Sequence, residues 1–120
     1  MRPWISTWVL AAGLALGGGA AIASPPATLE LRDHRFTPEV LTVPAGQKVQ
    51  IVLVNQDAAT EEFDSRDLNV EELLTPKGRA TFTIGPLKPG TYAFMGEFHA
   101  DTAQGWVVAV GEAAARSAER

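Results

Sequence analysis

The strongest constraint on this 120-residue chain is a period-two alternation of apolar side chains, broken at short intervals by turn residues. Alternation at that period puts one face of an extended segment in a core and the other in water, which is the pattern of short antiparallel strands and not of helices. Thr28 to Arg32 alternates through Leu29 and Leu31, and Glu39 to Val43 through Val40, Leu41 and Val43 less cleanly. Lys48 to Asn55 is the clearest strand, with Val49, Ile51, Leu53 and Asn55 on one face and Val52 and Val54 making the other partly apolar. Burial on two sides marks a central strand. Glu61 to Ser65 forms a short strand around Phe63; Leu68 to Thr75 fits either a strand or one helical turn. Arg79 to Ile84, Thr91 to Gly96 and Gln104 to Gly111 follow, the last alternating through Trp106, Val108 and Val110. Pro44-Ala45-Gly46, Pro76-Lys77-Gly78 and Pro89-Gly90 supply the turns. About seven short strands of this spacing predict an all-β, two-sheet sandwich, and the length allows one domain.

The N-terminus obeys a different rule. Arg2, an apolar run from Trp8 to Ile22 interrupted by Gly17, Gly18 and Gly19, and the small residues Ala21-Ile22-Ala23 make the three parts of a secretory signal. Cleavage is expected after Ala23. The run is too short and glycine-rich for a permanent span, and no basic stop-transfer cluster follows it. The expected organisation is a signal peptide over 1–23, a domain over 24–112 and a flexible tail over 113–120. The mature chain is expected to be exported without direct membrane insertion.

Charge and composition then remove whole classes of function. Fourteen acidic residues against ten basic ones, with no Lys/Arg cluster, exclude nucleic acid as a partner. The complete absence of cysteine excludes disulfide scaffolds, thiolate metal sites and cysteine nucleophiles. Phosphate-cradling glycine motifs are absent. A Ser-His-Asp set drawn from Ser65, His99 and Asp101 lacks a nucleophile elbow. A carboxylate pair drawn from Glu61 and Glu97 lacks room for a saccharide cleft.

What remains is a group of hard and borderline donors in two segments at strand ends. Ala58 to Asp64 carries Glu61, Glu62 and Asp64; Met95 to Asp101 carries Met95, Glu97, His99 and Asp101. Carboxylate with imidazole suits iron, Cu(II), manganese or zinc. Taken one segment at a time, the same residues also read as solvated loop charges and a histidine at the edge of the core.

The order of motifs resembles the cupredoxins. It runs from Phe36-Thr37-Pro38 through Val43-Pro44-Ala45-Gly46, Asn55 and Pro89-Gly90-Thr91-Tyr92-Ala93-Phe94 to His99 and Gly105-Trp106-Val107-Val108. The resemblance implies a Greek-key β-sandwich. In that family a ligand histidine precedes the Glu/Asn-Phe pair, and the tyrosine strand ends in C-x-x-H with a methionine beyond. Here Glu61 stands at the first histidine position, Gly96 at the cysteine position, and His99 alone is retained, so no blue-copper centre is expected. Asn55-Gln56-Asp57, Glu61-Glu62-Phe63-Asp64-Ser65 and Gly96-Glu97-Phe98-His99 look like the small EfeO-type cupredoxins that accompany bacterial iron permeases of the Ftr class. That likeness implies a periplasmic protein that binds iron and/or Cu(II) and helps oxidise ferrous iron or deliver it to an iron permease and other uptake components. The implied metal residues are His99, Glu61, Glu97, Met95 and His34. Met95 should point away from the Gly96 side if the strand persists, and serves as a soft donor only if the chain bends there. His34 would lie at the same end of the sandwich and complete the site or form a second one. Two alternatives stay open: a metal-free scaffold acting as an interaction module, and a Cu(II)-binding periplasmic protein. The residues supply no electron acceptor, so they leave open whether the chain turns over as a ferroxidase or only carries iron.

Overall fold

The structure is a computed structural model and describes residues 24–111; the expected signal peptide and C-terminal tail lie outside the described residues. Nine strands form two sheets: β1 (Ala27–Arg32), β2 (Arg35–Thr37), β3 (Val40–Pro44), β4 (Val49–Asn55), β5 (Glu61–Ser65), β6 (Val70–Leu74), β7 (Arg79–Ile84), β8 (Gly90–Gly96) and β9 (Gln104–Val110). One sheet has the order β2-β1-β4-β7 and the other β3-β9-β8-β5-β6. β1 runs parallel to β4 and β3 parallel to β9; the other pairings are antiparallel. Among the described residues the only helical segment is a 3-10 turn at Glu97–His99, and no helix is long and apolar enough to cross a membrane.

The all-β sandwich is as the alternation requires, with two strands more than its rough count. Leu68 to Thr75 resolves as β6. There Leu74 is 1 % exposed and Leu73 59 %, the period-two separation that a helical turn would not give. β2 lies in what reads as a connection. It folds back on β1 through Asp33 and His34, both at positive φ (52° and 58°), the backbone that matches the right-handed twist of a two-residue hairpin.

The core forms where the inner faces of the two sheets meet. Leu29, Leu31, Ile51 and Leu53 from the first sheet are buried with Val43, Leu74 and Val107 from the second. Phe36, Phe63 and Phe94 meet between the sheets, with centroid separations of 5.0 to 5.9 Å. In β9 the phase differs from the alternation through Trp106, Val108 and Val110. Gly105, Val107 and Ala109 are the buried set. Both faces of that strand are apolar, so periodicity alone cannot assign its phase. The structure does so at Gly105, where a Cβ would lie 2.5 Å from the Phe94 ring and 2.7 Å from the Glu39 carbonyl.

Gly105→Ala is therefore expected to lose about 1–3 kcal/mol of stability through overpacking. Gly111→Ala, whose Cβ would meet nothing within 4 Å, should leave it unchanged; urea unfolding of both variants checks this.

Candidate metal centre

One end of the sandwich gathers the carboxyl ends of β1, β4 and β8 with the start of β5. Asn55, 1 % exposed at the end of β4, organises it. Its Nδ2 donates to the Ala59 carbonyl (2.9 Å) and the Thr75 carbonyl (3.1 Å), and its Oδ1 accepts from Asp57 N–H (2.9 Å). The β4–β5 loop therefore leaves the sheet with a fixed curvature. Asp57, so placed, accepts the backbone N–H groups of Asp33 (2.7 Å) and His34 (3.0 Å). Burial opposes ionisation of the Asp57 carboxyl, but those two N–H bonds and the charges of His34 and Lys77 outweigh it and hold its pKa below the ordinary carboxylate value.

Glu61 opens β5, and strand alternation sends it inward with Phe63 and Ser65. It is an ionisable side chain only 1 % exposed, a placement that is costly unless its polar atoms are matched. Its Oε1 accepts from Phe98 N–H (2.8 Å) and Glu62 N–H (3.0 Å), and its Oε2 lies 2.6 Å from His99 Nδ1. Gly96 makes this possible. A Cβ at position 96 would fall 2.7 Å from Glu61 Cδ, 2.8 Å from Oε2 and 2.9 Å from Ala103 Cβ. The Glu61 carboxylate thus fills the space that a side chain at 96 would need.

His99 ends the 3-10 turn with its side chain 28 % exposed. Its backbone carbonyl accepts from Ala103 N–H (2.8 Å) and Thr102 N–H (3.1 Å), closing the β8–β9 loop under the ring. The ring stacks on His34, centroid to centroid 3.6 Å at 14°. Glu61, His99 and His34 therefore form one contiguous group.

The other two candidates lie elsewhere. Met95 faces outward, 40 % exposed and opposite Asp64, as strand continuity requires. Glu97 is exposed and bonds to Glu62, away from the Glu61–His99 pair. That hydrogen bond, then burial, then the charges of Glu97, Glu71 and Asp64 push the Glu62 carboxyl up to about 7. Among the described residues no three His, Asp or Glu side chains converge as a ready-made metal cage. Sequence inspection includes Asp57 in the motif Asn55-Gln56-Asp57 but gives it no part in holding the β1–β2 hairpin.

A carboxyl raised in the folded state stabilises most when protonated, so the Glu62 contribution is full below about 4.5 and is lost as pH rises through 7. Glu62→Gln should accordingly be more stable than the wild type at pH 8, with the difference closing at pH 4; denaturant unfolding at the two pH values measures it.

Comparison with known proteins agrees with this architecture. The family model described as a cupredoxin-like domain matches residues 4–109. An uncharacterised protein of Rickettsia prowazekii is 39 % identical over 80 residues, covering 67 % of this chain and 64 % of that protein. The chain thus spans a little under two thirds of that relative. Amicyanin from Paracoccus versutus superimposes with a TM-score of 0.56 at 14 % identity, covering 76 % of this chain and 87 % of its own. A purple cupredoxin from Nitrosopumilus maritimus gives 0.56 at 19 %, covering 70 % and 99 %. The metal-binding domain of a Cu(I)-exporting P-type ATPase of Streptococcus pneumoniae gives 0.61 at 12 %, covering 69 % and 82 %. These structures share the fold, and the family model spans nearly the whole sequence: the chain belongs to the cupredoxin-like domain family.

Proposed function

We propose that this protein binds a transition-metal ion, iron or Cu(II), through oxygen and imidazole donors at the Glu61–His99–His34 end, and carries it in the periplasm as part of ferrous iron uptake, handing it to an iron permease. The observation that carries this reading is the meeting of Glu61 Oε2 and His99 Nδ1 at 2.6 Å, beside the space where a thiolate at 96 would stand. A carboxylate oxygen and an imidazole nitrogen held around one shared proton are two donors that an ion can take over by displacing that proton. Blue-copper chemistry does not fit, because position 96 offers no sulfur and Glu61 fills its volume.

The donor set selects the cargo. Oxygen donors favour Fe(III) and Cu(II) over soft Cu(I). The solved neighbours include amicyanin in a reduced Cu(I) form and an ATPase domain with Cu(I); a metal role in this fold supports the reading, and the exchange of ligands points it toward harder ions. The likeness to EfeO-type cupredoxins, which the sequence motifs carry, supports iron in particular. The stacked His34 ring stands next to His99 as the further imidazole. The role proposed is carriage.

A second reading, a metal-free scaffold, is favoured by one observation: the Glu61 carboxylate already has three polar partners. Titration of the purified protein with Fe(II) under anaerobic conditions and with Cu(II) separates the two. The wild type should take up one ion with release of about one proton. His99→Ala and Glu61→Gln should each weaken binding about 10–100-fold. Absence of uptake of either ion by the wild type would establish the scaffold reading instead.

A further inference from the structure

Away from the Glu61–His99 group, the outer face of the five-stranded sheet carries a feature that neither the fold nor the metal reading uses. Val40 and Trp106 lie opposite each other on β3 and β9, and Trp106 lies opposite Ala93 on β8. All three point outward, Val40 49 % and Trp106 37 % exposed, and Met95 beside them is 40 % exposed. Scattered apolar side chains are ordinary on a protein surface, but a contiguous row across three strands is not.

The row borders a cavity of about 340 Å³ walled by Ala93, Met95, Gly105, Trp106 and, from the loop after His99, Ala100. The cavity exists because β5 parts from β8. Their ladder pairs Phe63 with Gly96 and Asp64 with Met95 and goes no further. Beyond it, Asp67 Oδ2 accepts Ala93 N–H (2.9 Å) and Ser65 Oγ donates to the Ala93 carbonyl (2.6 Å). Side chains thus satisfy the strand where a neighbouring backbone would, and the gap between them stays open.

Charge decides what fits there. Asp64 and Asp67 line the cavity with Arg66 as the one cation among the lining residues. Glu71 sits directly across from Asp64 on β6, a like-charge pairing that costs stability in a sheet. An adjoining hollow shares Asp64 and Arg66 and adds Glu71 and Glu97. An apolar centre with an acidic rim repels an anionic lipid surface. It also repels a second copy of itself, since a two-fold dimer through this face would set acidic rim on acidic rim.

We propose that this face docks a partner protein through a segment whose apolar side chain enters the Met95–Trp106 cavity and whose Lys or Arg side chains meet Asp64, Asp67 and Glu71. Ala100, which walls the cavity, is the residue after His99. A partner seated there touches the loop that carries the site histidine, although the docking itself needs no metal.

The test is shift mapping on the metal-free, isotope-labelled protein, titrated with two synthetic peptides: one with a central Leu-Trp pair flanked by lysines, the other with glutamates in place of the lysines. The lysine peptide should shift amides in 64–67, 93–95, 100 and 104–106, with affinity falling as salt is raised. Trp106→Ala and, independently, Asp64→Lys should each weaken it about tenfold, as loss of a central anchor or reversal of a facing charge does. Shifts elsewhere, no shifts, equal binding of the glutamate peptide, or concentration-dependent dimerisation through this face would each overturn the proposal. Because no metal is present, either outcome leaves the ion titrations to stand or fall on their own.

Discussion

The contact on which the rest of this end of the molecule depends is the buried bond between Glu61 and His99. A carboxylate 1 % exposed costs several kcal/mol to desolvate, and the chain offsets that with two backbone N–H groups and an imidazole. Removing one partner of such a pair typically costs about 3–5 kcal/mol, since it strands the other. Three local features exist to accommodate it. Gly96 leaves the space, the 3-10 turn brings Phe98 N–H to Oε1, and the folded-back β8–β9 loop holds the ring.

A second chain of contacts fixes His34. Asn55 curves the β4–β5 loop, Asp57 follows in that loop, and its carboxylate clamps the two positive-φ residues of the β1–β2 hairpin. His34 stands where a two-residue hairpin with both central residues at positive φ usually has glycine. The pair of charge-assisted bonds from Asp57 compensates for that, and sets His34 face to face with His99. The candidate site and the fold thus meet in a few polar groups at strand ends, while an aromatic cluster packs between the sheets.

Much of this was legible in the sequence. Alternation gave β4 and β7 nearly to the residue because apolar side chains recur at every second position, β5 was read around Phe63, and the motif order placed Glu61 and His99 together. The phase of β9 was not legible, because Trp106, Val108 and Val110 are as apolar as the buried set opposite. β2 was hidden because three residues carry too little periodicity, and the Asp57 clamp because its bonds run to backbone across 23 and 24 residues. Glu97 and Met95 share the segment of His99 but not its direction: one joins Glu62, and the other faces out from a strand that does not bend.

The outer face proposed for partner recognition and the strand-end site proposed for the ion share the loop through His99 and Ala100. X-ray absorption on protein loaded with one equivalent of Fe(II) or Cu(II) tests the central claim most directly. The expected first shell holds only nitrogen and oxygen at about 2.0–2.2 Å, with imidazole scattering beyond it that Glu61→Gln disturbs. A sulfur scatterer near about 2.3 Å, which only Met95 could supply in the described chain, or a shell unchanged by Glu61→Gln, would contradict it.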